Sequence, residues 1–448
     1  MKFNIPNDVS HITGKLEENG FKAYIVGGCV RDLISENEPK DWDICTSALP
    51  EDVVRCFSRH KTIKTGLKHG TVTVILDQTP YEITTFRHDG VYTDNRHPDN
   101  VEYTSCLEED LSRRDFTINS LAYSDKTGII DCYGGIDDIK NRIIRCVGDA
   151  DKKFKEDALR IMRALRFSGE LGYSIEINTA DSLLTNKNLL NNIAAERIAA
   201  ELNRLLVSKD VSSVLLTYNQ VITEIIPELT ATVGFDQNTP YHCYDVYKHI
   251  AISVGFAPDD IIIRLTMLLH DITKPRHFFE RDGTGHFKGH QKTGADIASQ
   301  VLSRLKYDKN TINIVSNLII HHDADIQPES KQIKRWLNNM GEQGFRRLIQ
   351  VKTADAKAHA PEFINDRLAV INDVSNLAEE IMEQRQCYTL GNLAINGKDL
   401  LAAGVPEGKT TGILLNMLLE MVMDELIPND KVVLLAEAKK LLTEHKLY

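Results

Sequence analysis

The chain of 448 residues is long enough to fold as several packed domains. With 42% apolar and 26% charged residues it has the composition of an ordinary globular protein, and no apolar run reaches the length of a membrane span. The net charge of −11 excludes a uniformly basic nucleic-acid binder but leaves room for local basic patches.

The N-terminal MKFNIPNDVS lacks the apolar core of a signal peptide, and the eight cysteines are scattered without a CxxC pair. Both features predict reduced thiols and a cytoplasmic protein. A helix is predicted over 8–20, with Asp8 as its cap and Gly20 as its stop. The stretch Tyr24 to Cys45, YIVGGCVRDLISENEPKDWDIC, then combines an apolar strand, a Gly27-Gly28 turn, Arg31, and the carboxylates Asp41 and Asp43. Glycines after a strand let backbone N–H groups approach a phosphate closely, and Arg31 adds a charge-assisted donor. Residues i and i+2 of a strand share a face, so Asp41 and Asp43 can share divalent ions. Either element alone is more often a turn or a pair of solvated acids. Their order within one short stretch points to two-metal phosphoryl or nucleotidyl transfer.

LPEDVVRCF reads as a helix, and GTVTVIL (70–76) and YEITTF (81–86) read as a β-branched hairpin. Glu82 on its second strand is either a third carboxylate for the metal pair or a solvated strand residue. HDGVYTDNRHPDNV (88–101) reads as a mobile loop. In LEEDLSRRDFTINSLAY, Arg113, Arg114, Asp115 and Asn119 have the spacing of a helix start. Beside a metal site, the planar fork of Arg114 suits a triphosphate. Gly134-Gly135 marks a turn before another helix.

From Phe154 the pattern becomes helical. Asp157 and Arg160 are predicted on one helix face, Arg163 and Arg166 extend its basic side, and taken alone the pair is as readily a surface ion pair. AAERIAAELNRLL carries Glu196, Arg197 and Glu201, read as braces for that helix. A further set holds His249, His270-Asp271, His290, His321-His322 and Asp355. Imidazole and carboxylate both ligate metals, and the spacing brings several helices to one point. His249, His270, Asp271 and Asp355 are the expected ligands, with His290 and His321 holding a second ion or substrate phosphate. The last hundred residues are helical with small basic clusters, and no internal repeat is evident.

The ordered set GGxVRD, DxD, RRDFTIN, EDxxR, ERIxxEL and the His-Asp series resembles the class II tRNA CCA-adding enzymes and bacterial poly(A) polymerases that carry an HD phosphohydrolase domain. The resemblance implies an α+β protein: a mixed-sheet nucleotidyltransferase head (1–148) followed by all-helical parts. These are a neck with a nucleotide-selecting helix (149–230), an HD-type body (231–360) and a tRNA-binding tail (361–448). It implies template-independent addition of C, C and A to the tRNA 3′ end from CTP and ATP. Asp41 and Asp43 would hold Mg²⁺, with Glu82 as a third catalytic carboxylate. Gly27, Gly28, Arg31 and Arg114 would hold phosphates, while Asp157, Arg160, Arg163 and Arg166 would serve the nucleotide. Cytosine and adenine each offer an amine donor beside a ring-nitrogen acceptor, which Asp157 and Arg160 complement. The intact 88–101 segment and the tail favour CCA addition over a poly(A) polymerase. The HD body implies a phosphohydrolase side activity with a transition metal, and a protein acting mainly as a metal-dependent HD phosphohydrolase is the alternative of another class.

Overall fold

The computed structural model describes residues 3–67, 70–89 and 101–444. The chain divides into two compact units, Met1–Pro227 and Glu228–Tyr448.

In the first unit, seven strands form one mixed sheet: β1 (Ala23–Val26), β2 (Asp43–Thr46), β3 (Lys61–Ile63), β4 (Thr71–Leu76), β5 (Thr79–Thr85), β6 (Leu121–Ser124) and β7 (Gly128–Asp131). Their order is β3-β4-β5-β2-β1-β6-β7, antiparallel except for the parallel pair β2–β5. The hairpin predicted at 70–86 is β4–β5, closed by Asp77 and Gln78, both at positive φ as a tight hairpin turn requires. Helix α1 (Asn7–Glu18) buries Val9, Ile12 and Leu16 on one face, spaced as an amphipathic helix demands. Asp8 does not cap it: Pro6 holds the cap position, and the Asp8 carboxylate accepts the Tyr81 hydroxyl at 3.1 Å. The expected 88–101 loop falls mainly on 90–100, outside the described residues.

Two further expectations are corrected by helix ends. Arg113 caps the C-terminus of α2 (Leu107–Ser112), so the RRD sequence leaves a helix rather than entering one. Asp157 (φ −137°, ψ 102°) separates α3 (Ala150–Glu156) from α4 (Leu159–Leu171), so it shares no helix face with Arg160. An aspartate beside a helix start competes for backbone donors, and here Asp157 Oδ1 accepts the Leu159 N–H at 3.1 Å. Helix α5 (Ala195–Leu206) packs against α4.

The second unit is helical apart from a small hairpin, Phe279–Arg281 with Thr284–His286. Helices α6 (Val246–Phe256), α7 (Ile261–Leu269), α8 (His290–Arg304), α9 (Lys309–His321) and α10 (Ser330–Lys357) build its core. The middle of α7, Ile262 through Leu269, is entirely buried, and Asp260 caps its start through the N–H groups of Ile262 and Ile263. Helix α11 (Pro361–Glu383) follows α10, and shorter helices complete the tail. Among the described residues no helix is long and apolar enough to cross a membrane.

Candidate active site and metal centre

Strand β1 ends at Val26 and is followed by Gly27, whose φ of +81° a side-chain-bearing residue rarely adopts. A Cβ placed there would lie 3.0 Å from Arg114 Nη1 and 3.6 Å from Asp43 Oδ2. The glycine turn, the carboxylate and the guanidinium therefore surround one small space. Asp43 pairs with Val26 of β1 on one side and, across the parallel pair, with Glu82 of β5 on the other. Burial raises the Asp43 carboxyl above its usual range; Arg114 pulls it down and Asp41 adds to the rise. Asp43 and Glu82 thus stand at paired positions of neighbouring strands, and carboxylate oxygens are the donors that suit a hard divalent cation.

Arg31 lies at the same turn, donating to Asp32 Oδ1 at 2.7 and 2.9 Å and to Asn119 Oδ1 at 2.7 Å. Asp110, fully buried, holds both arginines of the RRD sequence, Arg113 at 2.8 Å and Arg114 at 3.4 Å. Arg114 Nε is buried with no hydrogen-bond partner among the described residues. That leaves a guanidinium anchored at one end and aimed past Gly27.

The neck residues are placed differently from one another. Arg160 is buried and donates to Lys153 O at 2.9 Å, Glu156 Oε2 at 2.6 Å and Arg113 O at 2.9 Å. Asp157 faces Arg197 of α5 at 3.4 Å. Arg163 meets Asp115 Oδ2 at 2.6 Å; burial alone would raise the Asp115 carboxyl, but Arg163 outweighs it and holds it at about 2. Arg166 is 1% exposed, with Nε 2.5 Å from Glu201 and Nη1 2.8 Å from Glu170. Two carboxylates and the Phe167 ring enclose its guanidinium inside the unit.

In the second unit the histidine series converges. Four rings each direct Nδ1 at a backbone carbonyl: His249 to Ala358, His270 to Met267, His290 to Phe287 and His322 to Ile319, at 2.7–3.2 Å. A carbonyl only accepts, so each Nδ1 carries a proton and each Nε2 is turned inward, free to meet a proton or a cation. The Nε2 atoms face one another in couples, His249 with His270 and His290 with His322, both at 3.3 Å. Asp271 joins the couples. Its Oδ2 is 3.2 Å from His270 and 3.5 Å from His249, and its Oδ1 is 3.3 Å from His290 and 3.6 Å from His322. Asp355 Oδ1 closes the first group, 3.0 Å from His249 and 3.5 Å from His270. Two ligand atoms ~2.1 Å from a shared ion stand about 3.0–3.4 Å apart at octahedral or tetrahedral angles. Two groups that share Asp271, one with His249 and His270 and one with His290 and His322, would hold divalent cations, and the mixed nitrogen–oxygen set suits borderline transition metals.

His321 does not join this centre. Its ring stands edge-on to Trp336 at 5.0 Å, while His322, one residue later and buried, turns inward. Sequence reading prefers His321 to its neighbour His322 and passes over Lys274 and Asp110. Spacing would have marked both of these: Lys274 is three residues from Asp271, with Nζ 2.8 Å from its Oδ2, and Asp110 is four residues before Arg114.

Residues 23–145 match the poly A polymerase head domain, 172–232 the probable RNA and SrmB-binding site of polymerase A, and 240–358 the HD domain. Domains of the head and HD types imply dependence on divalent metal. The solved structure of the Bacillus stearothermophilus CCA-adding enzyme in complex with CTP has a TM-score of 0.74 to this chain. The two are 28% identical, over 98% of this chain and 97% of that one. The CCA-adding enzyme of Levilactobacillus brevis is 33% identical across 94% of both chains. That of Ligilactobacillus salivarius is 35% identical across 98% of both chains. By this end-to-end likeness the chain belongs to the family of CCA-adding enzymes.

Proposed function

We propose that the chain adds C, C and A to the 3′ end of tRNA, without a nucleic-acid template, using CTP and ATP and releasing pyrophosphate. The observation that carries this reading is the convergence of Asp43 and Arg114 on the Gly27 turn. Asp41, Asp43 and Glu82 would hold Mg²⁺, which supplies charge neutralisation at the triphosphate and acidifies the attacking 3′-hydroxyl. Arg114, Arg31 and the Gly27-Gly28 backbone bind and orient the phosphates. Gly27 leaves the space that any side chain would fill. The tail is read as support for the tRNA elbow.

Base choice is assigned to Asp157 and Arg160. Arg160 donates to the ring nitrogen of cytosine or adenine, and Asp157 accepts from the exocyclic amine. Uracil and guanine reverse both groups, and each buried mismatch costs about 1–3 kcal/mol. To reach a base, Arg160 exchanges one of its present acceptors, Glu156 or the Arg113 carbonyl, for the base edge. The HD centre is read as a second, independent site that hydrolyses phosphate esters with a transition metal: water adds to phosphorus, the ester P–O bond breaks, and the leaving alcohol takes the proton.

The test is to incubate the protein with tRNA lacking its 3′ end, supplying each NTP alone and then CTP with ATP. Products ending in CCA support the reading. An A-only tail of indefinite length would assign a poly(A) polymerase instead.

A further inference from the structure

Asp110, on α2, is fully buried, and a carboxylate persists in such a place only where donors surround it. Its Oδ1 accepts Arg113 Nε at 2.9 Å and the Arg87 N–H at 3.3 Å, and its Oδ2 accepts Arg114 Nη2 at 3.4 Å. Arg87 follows Phe86, whose N–H donates to Thr46 O of β2 at 2.7 Å. The carboxylate is thereby referenced to the strand pair that carries Asp43 and Glu82. The Ser120 hydroxyl donates to Leu111 O at 2.7 Å and pins the next residue of α2. With Nη2 of Arg114 held by Asp110, its Nη1 is the atom that a Cβ on Gly27 would meet at 3.0 Å. The guanidinium is thus gripped at one edge while the other faces the glycine turn and Asp43. Arg113 carries a second branch, since its backbone carbonyl accepts Arg160 Nη2 at 2.9 Å. One carboxylate stands behind both the arginine assigned to the triphosphate and the residue that holds the arginine assigned to the base.

We propose that Asp110 is a positioning residue for nucleotidyl transfer, setting Arg114 against the triphosphate and, through Arg113, Arg160 against the base in one register. The proposal rests on the nucleotide-addition reading given above. Charge and positioning make opposite forecasts here. The Asp110 charge, 3.4 Å from Arg114, weakens the pull of that guanidinium on an anion. Were charge its whole contribution, removing it would tighten phosphate binding. A carboxylate that fixes the planar fork does the reverse when lost, because bidentate contact with phosphate demands one orientation of the guanidinium.

The test compares the full chain with its Asp110→Asn variant, which keeps an accepting oxygen and the side-chain shape but not the charge. Isothermal titration calorimetry with inorganic tripolyphosphate and Mg²⁺ reads the phosphate side without a base. Single-turnover addition of CTP and of UTP to tRNA lacking its 3′ end reads the base side. Asp110→Asn is expected to raise the Kd for tripolyphosphate at least about tenfold and to narrow the CTP-to-UTP ratio at least about threefold. In an Arg114→Ala background, Asp110→Asn should change that Kd by less than about twofold, since the group it acts through is gone. A Kd that is unchanged or lower in Asp110→Asn, a full effect without Arg114, or an unchanged base ratio overturns the proposal. If circular dichroism shows Asp110→Asn to be unfolded, Arg113→Gln decides: a narrowed ratio supports the common register and an unchanged one overturns it. A wild type that binds tripolyphosphate but adds neither nucleotide removes the nucleotide-addition reading, and the Kd of Asp110→Asn then still decides whether Asp110 positions Arg114.

Discussion

His290 and His322 bring their Nε2 atoms within 3.3 Å of each other while each Nδ1 is already committed to a backbone carbonyl. Two lone pairs held face to face in a buried pocket repel unless a cation or a proton lies between them. The opposing couple, His249 and His270, has the same geometry, and Asp271 stands between the two.

Replacement of His322 therefore separates the two halves of the centre. His322→Ala is expected to lower the bound transition metal from two ions to one per chain, and His321→Ala to leave it at two. Metal content measured after dialysis, with circular dichroism to confirm folding, decides between them. Equal metal in wild type and His322→Ala would remove the second site.

In the head, Glu82 faces Asp43 across β2–β5, so its role can be separated from that of the DxD pair. Asp43→Asn removes a metal-facing charge at the turn itself and is expected to lower kcat for both CTP and ATP by at least about a thousandfold. Glu82→Gln is expected to lower both by a smaller, common factor and to raise the Mg²⁺ concentration needed for half-maximal rate. A Glu82→Gln enzyme with unaltered Mg²⁺ dependence would return this residue to the solvated edge of the sheet.

Strands and their motifs are legible in this sequence because alternation has a fixed period. The β4–β5 hairpin and the Gly27 turn follow from residue type alone. Helix ends are less legible, because phase is lost there. His321 and His322 are neighbours, and about 100° of helical rotation decides which one faces the core. Asp157 looks helical by spacing but takes a backbone donor instead. Lone register facts, such as Glu82 opposite Asp43, depend on a parallel pairing that no local pattern encodes.

The Asp115–Arg163 pair predicts how the first unit responds to acid. The folded carboxyl is held at about 2, below the ordinary ~3.9 of an aspartate. A depressed folded value contributes stability that is complete above pH ~4 and is lost as pH falls toward 2. The shift corresponds to roughly 2.6 kcal/mol, at one unit per ~1.4 kcal/mol. Arg163→Ala leaves Asp115 buried without its cation, so acid unfolding should begin at higher pH. Circular dichroism followed from pH 6 to pH 2 measures the midpoint. A midpoint equal to wild type would show that the pair contributes nothing to the acid response.

Arg160 and Arg166 stand on the same helix, six residues apart in sequence, and the structure gives them different surroundings. Arg166 is enclosed by Glu201, Glu170 and the Phe167 ring, and its removal leaves the buried Glu201 with only the longer contact to Arg163, at 3.8 Å. Breaking a buried pair in this way costs about 3–5 kcal/mol. Arg166→Ala should therefore lower the melting temperature while the ratio of CTP to UTP incorporation keeps its wild-type value. Arg160 reaches Glu156 and the Arg113 carbonyl, which ties α4 to the end of the RRD helix next to the phosphate cradle. If it reads the base edge, Arg160→Ala should narrow the gap in kcat/KM between CTP and UTP by roughly tenfold, equivalent to about 1.4 kcal/mol. Single-turnover incorporation of all four NTPs by both variants tests the pair together. A proportional loss for every base in Arg160→Ala, with the order of preference unchanged, would make Arg160 a brace like Arg166 and move base selection elsewhere.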